Sequence, residues 1–203
     1  GLPPQSALTG PQKVKLWRLT LNVSLEASPL LHRLSLRAVT RLTLLHFPSS
    51  ETSQAVLTEI LNRMVTEPFP FLELLNSVLP LLPLSSPLLP HLSTTGTRNL
   101  LKLSQSSSVP VQSWVLRCVG SMWRTTRTVM KLQFEILFTS LHLRLVKAGS
   151  LIALDALLDL IDEPGALGSV WASFDLDPQS SNLYGLIVSS VCGLVSSSVD
   201  GSE

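Results

Sequence analysis

Between Val109 and Met122 the chain reads VPVQSWVLRCVGSM, and its apolar residues return at the period of an α-helix. Val111, Trp114, Val115, Cys118, Val119 and Met122 fall at i, i+3, i+4, i+7, i+8 and i+11, leaving Gln112, Ser113 and Arg117 outside the stripe. A stripe of this width must be covered along its whole length by neighbouring elements. The rest of the sequence offers further helices for that purpose and no convincing β-run.

The punctuation of the chain sets the expected helix boundaries. Residues 1–12 are rich in Pro, Ser and Gly and read as a flexible lead-in. Lys13 to Asn22 alternates apolar and polar residues, which suits a strand as well as a helix. The helical surroundings favour helix. Ser28 and Pro29 open a helix that runs to Phe47 and stops at Pro48. Ser50 and Glu51 start the next, with a stripe of Val56, Leu57, Ile60, Leu61 and Met64, and Pro68 ends it. Phe69 to Leu82 forms an apolar helix broken near Pro80 and Pro83. Residues 83–96 are dense in Pro, Ser and Gly and predict a loop or a kinked single turn. Thr97–Leu103 is a short helix, and Arg124–Arg127 marks a break after the central one. Thr128 to Lys147 is helical, with basic residues in its last turn and Gly149 as the C′ residue. Ser150–Ile161, Ala166–Phe174 and Leu183–Val195 complete the set, and the Ser-rich tail 196–203 is expected to fray. The organisation expected is therefore one helical-repeat domain over 13–195, with an irregular loop near 83–96.

Two segments echo one another. LRAVTRL at 36–42 aligns with LRCVGSM at 116–122, an offset of 80 residues, roughly two units of a two-helix repeat. The stretch SSSVPVQSWVLRCVGSM resembles the second helix of a HEAT repeat: Val111, Cys118 and Val119 match the apolar positions, whereas Arg117 comes later than the Arg that the family prefers. The resemblance to HEAT/armadillo-type repeats covers residues 109–122 and, more loosely, 29–42. It implies an all-α solenoid, or an irregular bundle of antiparallel helix pairs, that acts as a non-catalytic protein-interaction scaffold or adaptor.

Composition points the same way. Hydrophobic residues make up 45% of the 203 positions and charged residues 14%, well under the usual quarter. A chain so poor in charge is expected to cover extra apolar surface with a partner inside a multi-subunit complex, or to be a piece of a longer protein; its start at Gly1 rather than Met agrees with the latter. Cys118 and Cys192 are too few for a disulfide framework, and together with the absence of a secretory signal at the N-terminus they suggest an intracellular, reducing compartment. Leu183 to Val199 carries no charge, but its serines and its length fall short of a membrane span, so no transmembrane anchoring is expected.

Charge is segregated along the chain. Residues 1–50 carry a net +5, 51–96 a net −3, 97–148 a net +7, and 149–203 a net −8. If sequence blocks become neighbouring slabs, the molecule has a basic middle and an acidic C-terminal end. Arg33, Arg37 and Arg41 lie one turn apart on one helical face, and Arg117, Arg124, Arg127 and Lys131 could extend a basic ridge, with Trp123 available for stacking. Two accounts follow. The ridge docks an acidic protein segment or a nucleic acid, or these cations solvate exposed faces and pair with the Asp-rich helices that follow.

Catalytic signatures are missing: no phosphate loop, no dinucleotide fingerprint, no H-E-x-x-H and no nucleophile elbow. His32, His46, His91 and His142 are scattered, without metal-ligand spacing. Asp175-Leu176-Asp177 reads as a turn and helix N-cap rather than a cation loop. No enzyme activity, metal or cofactor is expected.

Overall fold

The computed structural model describes residues 9–26, 37–43 and 50–200, and among them there is no strand. The first helix, α1, spans Gly10–Glu26. At its start the Thr9 N–H donates to Gln12 Oε1 at 2.9 Å, and the alternating stretch is a helix beginning three residues before Lys13. Residues 37–43 are helical and meet α1 where Trp17 Nε1 donates to Thr43 Oγ1 at 2.7 Å. The expected Ser28 cap and the stop at Pro48 lie outside the described residues.

Next come α2 (Ser50–Arg63) and α3 (Pro68–Val78), the latter closed by a 3₁₀ turn at Leu79–Leu81. The stretch expected to be a loop is only half a loop. Leu89–His91, a π-turn at Leu92–Gly96 and Thr97–Leu103 run on as one helix, α4. Pro90 sits in its first turn, where no N–H is needed, so it starts the helix instead of breaking it. Helix α5 is Val109–Thr126, one turn longer than the expected break at Arg124–Arg127. Helix α6 comprises Lys131–Leu137, a π-turn at Phe138–His142, and Leu143–Lys147. It ends in a Schellman turn: Gly149 takes φ +79°, its N–H reaches Val146 O at 2.9 Å, and Ser150 N–H reaches Leu145 O at 3.0 Å. Ser150 then caps α7 (Leu151–Ile161). Gly165, at φ +78°, admits α8 (Ala166–Val170, continued by a π-turn at Trp171–Asp175), and α9 runs over Leu183–Asp200, past the point where fraying was expected.

The helices alternate between two layers. Helices α3, α5 and α7 pack side by side in one, with α3 against α5 the most extensive contact; α2, α4 and α6 form the other, and each hairpin α2–α3, α4–α5 and α6–α7 bridges the two. Helix α1 rests on α2, while α8 and α9 close the far end against α7 and α6. The sandwich between layers is the core, from Leu57, Ile60 and Leu61 through Leu72, Leu75, Val115 and Val119 to Leu141, Val146 and Leu157.

Because α5 has neighbours on three sides, it buries more than one stripe. Leu116, Trp123 and Thr126 are buried along with Val111, Val115, Cys118, Val119 and Met122. Trp123 is the centre of an aromatic cluster, edge-on to Phe134 (5.2 Å) and Phe138 (5.4 Å) and stacked with Phe174 (6.3 Å). Trp114, expected in the core, is only partly covered and packs edge-on to Phe69 at 6.1 Å.

Candidate interaction surface

The basic residues singled out from the sequence do not form one ridge. Arg33 lies outside the described residues. Arg37 and Arg41 are exposed on the helical stretch 37–43, one turn apart. Arg117 and Arg124 are two turns apart on the open side of the α3–α5–α7 layer, where they line a shallow groove with Asn76, Gly120, Ser121 and Asp159. That groove is not a cationic surface. Arg124 pairs with Glu163, and Asp159 faces the arginines from α7. Arg117 lies over the Trp114 ring, its guanidinium 5.3 Å from the centroid. Arg127 is exposed in the turn before α6, with its guanidinium 6.0 Å from the buried Trp123 ring. Lys131 pairs with Asp177 and stands 5.6 Å over Phe174.

Trp123 corrects the sequence expectation outright. At 1% exposure beneath three Phe rings, it is a core residue and offers no stacking platform. Two of the expected ridge cations, Arg124 and Lys131, instead tie the central helices to the acidic C-terminal block.

The most constructed polar site is the loop from Asp175 to Asn182, to which sequence reasoning gave only a turn and a cap. Asp177 takes Lys131 and, within the loop, the Gln179 N–H (2.9 Å) and the Ser180 hydroxyl (3.2 Å). The Lys131 ammonium, then the Gln179 amide, hold its carboxyl below the ordinary range. Glu135 accepts from the Ser181 hydroxyl and from its N–H at 2.7 Å. Asp175 accepts from Tyr184 N–H at 2.9 Å, and Asn182 Oδ1 caps α9 through Gly185 N–H at 2.8 Å. A Cβ at Gly185 would stand 2.4 Å from Asn182 Oδ1, so a larger residue there displaces the Asn182 side chain.

This knot presents apolar residues to solvent. Leu176, between the two aspartates, is 59% exposed, Trp171 is 50% exposed, and Tyr184 and Val188 join them. Leu167, Gly168, Trp171 and Tyr184 line an open depression between α8 and α9. A rigid patch with Trp and Tyr at its centre has the composition of a protein-binding surface. A signal was present in the sequence: Asp175, Asp177 and Asn182 bracket Leu176, and large apolar residues recur at 171, 176 and 184.

Two buried groups are inert by placement. Burial pushes the Cys118 thiol far above its usual range, and the thiol donates to Leu72 O at 3.3 Å. Burial lowers the His142 pKa to about 4. Neither His142 ring nitrogen has a hydrogen-bond partner. Among the described residues no three His, Cys, Asp or Glu side chains converge on a common point as metal ligands would, and no helix is long and apolar enough to cross a membrane.

No curated protein and no solved structure matches the chain. A family model does. The HUS domain described as Mon2/Sec7/BIG1-like matches residues 48–183, from just before α2 to the first residue of α9, which takes in the groove, the loop 175–182 and, of the apolar patch, Trp171 and Leu176 but not Tyr184 and Val188. With more than half its length matched, this all-α chain belongs to the family of Mon2/Sec7/BIG1-like HUS domains.

Proposed function

We propose that the chain is a non-catalytic interaction scaffold, a HEAT/armadillo-like block of stacked helix pairs that serves a larger intracellular assembly. The observation that carries this reading is the exposed cluster of Trp171, Leu176 and Tyr184, held in place by carboxylates that are themselves fully engaged. Large aromatic side chains left in water on a rigid support cost hydration free energy that a protein partner recovers by covering them. Trp and Tyr at the centre of a patch are the residue types that dominate protein-binding energetics. The family gives the setting, because Sec7-like proteins act in intracellular trafficking. The partner is then another protein of that machinery, with an apolar surface matched to the depression between α8 and α9.

The test is affinity purification of the chain and of its Trp171→Ser/Tyr184→Ser variant from the cell of origin, with quantitative mass spectrometry. Both positions are exposed, so the variant keeps its circular dichroism and melting temperature. Partners lost from the variant but retained by Arg117→Gln support the scaffold reading at this patch. An unchanged set of partners refutes it.

A further inference from the structure

The outer face of the α2–α4–α6 layer carries a second surface, independent of the patch on α8 and α9. Along α4, Arg98 and Lys102 are exposed and one turn apart. Along α6, Arg144 and Lys147 are exposed and again one turn apart. The two pairs are neighbours: Arg144 Nη2 donates to Ser104 Oγ at 3.3 Å, just beyond Lys102, so the C-terminal ends of α4 and α6 lie together. None of the four cations is in an ion pair with a described carboxylate, unlike Arg124 and Lys131. Arg144 bonds only neutral oxygens, Ser140 O, Ser104 O and Ser104 Oγ. The loops beside them, 104–108 and 148–150, contain no Asp or Glu.

Toward its N-terminal end, the exposed stripe of α6 that carries Arg144 becomes apolar. Leu132 is 62% exposed and Ile136 is 37% exposed, at i and i+4 in line with Ser140 and Arg144. A helix presenting leucine and isoleucine at one end and cations at the other, beside a parallel helix with two more cations, presents both chemistries of an interfacial surface. From the cations without a described ion-pair partner and the in-line apolar residues, we infer that the α4–α6 face docks on an anionic lipid bilayer, with Arg98, Lys102, Arg144 and Lys147 against the headgroups and Leu132 and Ile136 seated among them. The contact is peripheral and depends on surface charge density.

The experiment is flotation of the 203-residue chain with vesicles of phosphatidylcholine alone and of phosphatidylcholine mixed with phosphatidylserine. Binding to the anionic vesicles that falls as salt is raised is expected. Neutralising the four cations to Gln should weaken it about fivefold for each, roughly several hundredfold together. Leu132→Ser/Ile136→Ser should weaken it with the charge unchanged. All six positions are exposed, so circular dichroism and melting temperature verify the fold of each variant. Equal binding to neutral vesicles overturns the inference, as does an equal loss on neutralising Arg117 and Arg127 instead. Binding of polyglutamate without binding of anionic vesicles also overturns it, and would reassign the face to an acidic protein.

Discussion

Acidifying the solution from pH 7.5 to pH 5 should cost the folded chain about 2 kcal/mol through His142 alone. The ring is fully buried beside Phe138 (5.4 Å between centroids), with no partner on either nitrogen, so the folded state holds it neutral down to about pH 4. In the unfolded chain the same ring takes up a proton near the ordinary histidine value of about 6.5. A folded pKa below the unfolded one means that stability is complete above pH 6.5 and drains away as the pH falls toward 4. Integrating between a folded value of about 4 and an unfolded value of about 6.5 gives a loss of roughly 2 kcal/mol at pH 5 and about 3.4 kcal/mol below pH 4. The assay is urea unfolding followed by circular dichroism at several values of pH, on the wild type and on His142→Met. Methionine fills a similar volume without titrating. The difference between the two stabilities, rather than either alone, isolates the ring from the carboxylates and other histidines. The variant should gain on the wild type by about 2 kcal/mol over this interval. Parallel curves would mean that the ring is hydrated or hydrogen-bonded in solution, and the argument from its burial would fail.

Other outcomes follow from named contacts. Trp123→Ala removes the hub of the Phe134–Phe138–Phe174 cluster and should cost about 3–5 kcal/mol in chemical denaturation, a loss out of reach for a surface residue. Asn182→Ala removes the Oδ1 that caps α9 through Gly185 N–H and should lower stability by about 1 kcal/mol, measured as a shift in urea midpoint. Cys192 is exposed and should react with a thiol reagent in the native state, whereas Cys118 should react only on unfolding; two fast thiols in the folded chain would contradict the burial described.

The all-α architecture and most helix boundaries were legible because they depend on local chemistry. Gly149 marks the end of α6 by the positive φ it alone tolerates cheaply, and Ser150 caps α7 one residue later. Pro90 misled because proline reads as a breaker anywhere but the first turn, and only the fold places it there. Trp114 and Trp123 exchanged roles for a related reason. A single-stripe reading assumes one covered face, whereas α5 is packed by α3, α4 and α7, so the arc that escapes burial is narrow and falls on Arg117 and Arg124. The charge pattern was legible in part. Pairing of the basic residues with the acidic C-terminal block, one of the two accounts the sequence offered, is what Arg124 with Glu163 and Lys131 with Asp177 display. Within the basic block 97–148, α5 faces the acids of α7 and Lys131 at the start of α6 pairs with Asp177, while Arg98, Lys102, Arg144 and Lys147 have no ion pair with a described carboxylate. The polar knot was invisible for want of range: Lys131 and Asp177, like Glu135 and Ser181, are 46 residues apart.

Alternation between two layers also constrains how such a chain can change in length. Each surface reads every second helix, so the residues that meet on one face come from every other element. Duplicating or deleting a complete hairpin would leave every remaining helix in its own layer and would lengthen or shorten both faces by one rung. Gaining or losing a single helix would flip the parity of everything downstream, putting core-facing residues of the later helices toward solvent and exchanging the two surfaces. Sequence drift within a rung is therefore cheap and rung-sized rearrangement is tolerable, while an odd count is penalised across the whole remainder of the stack.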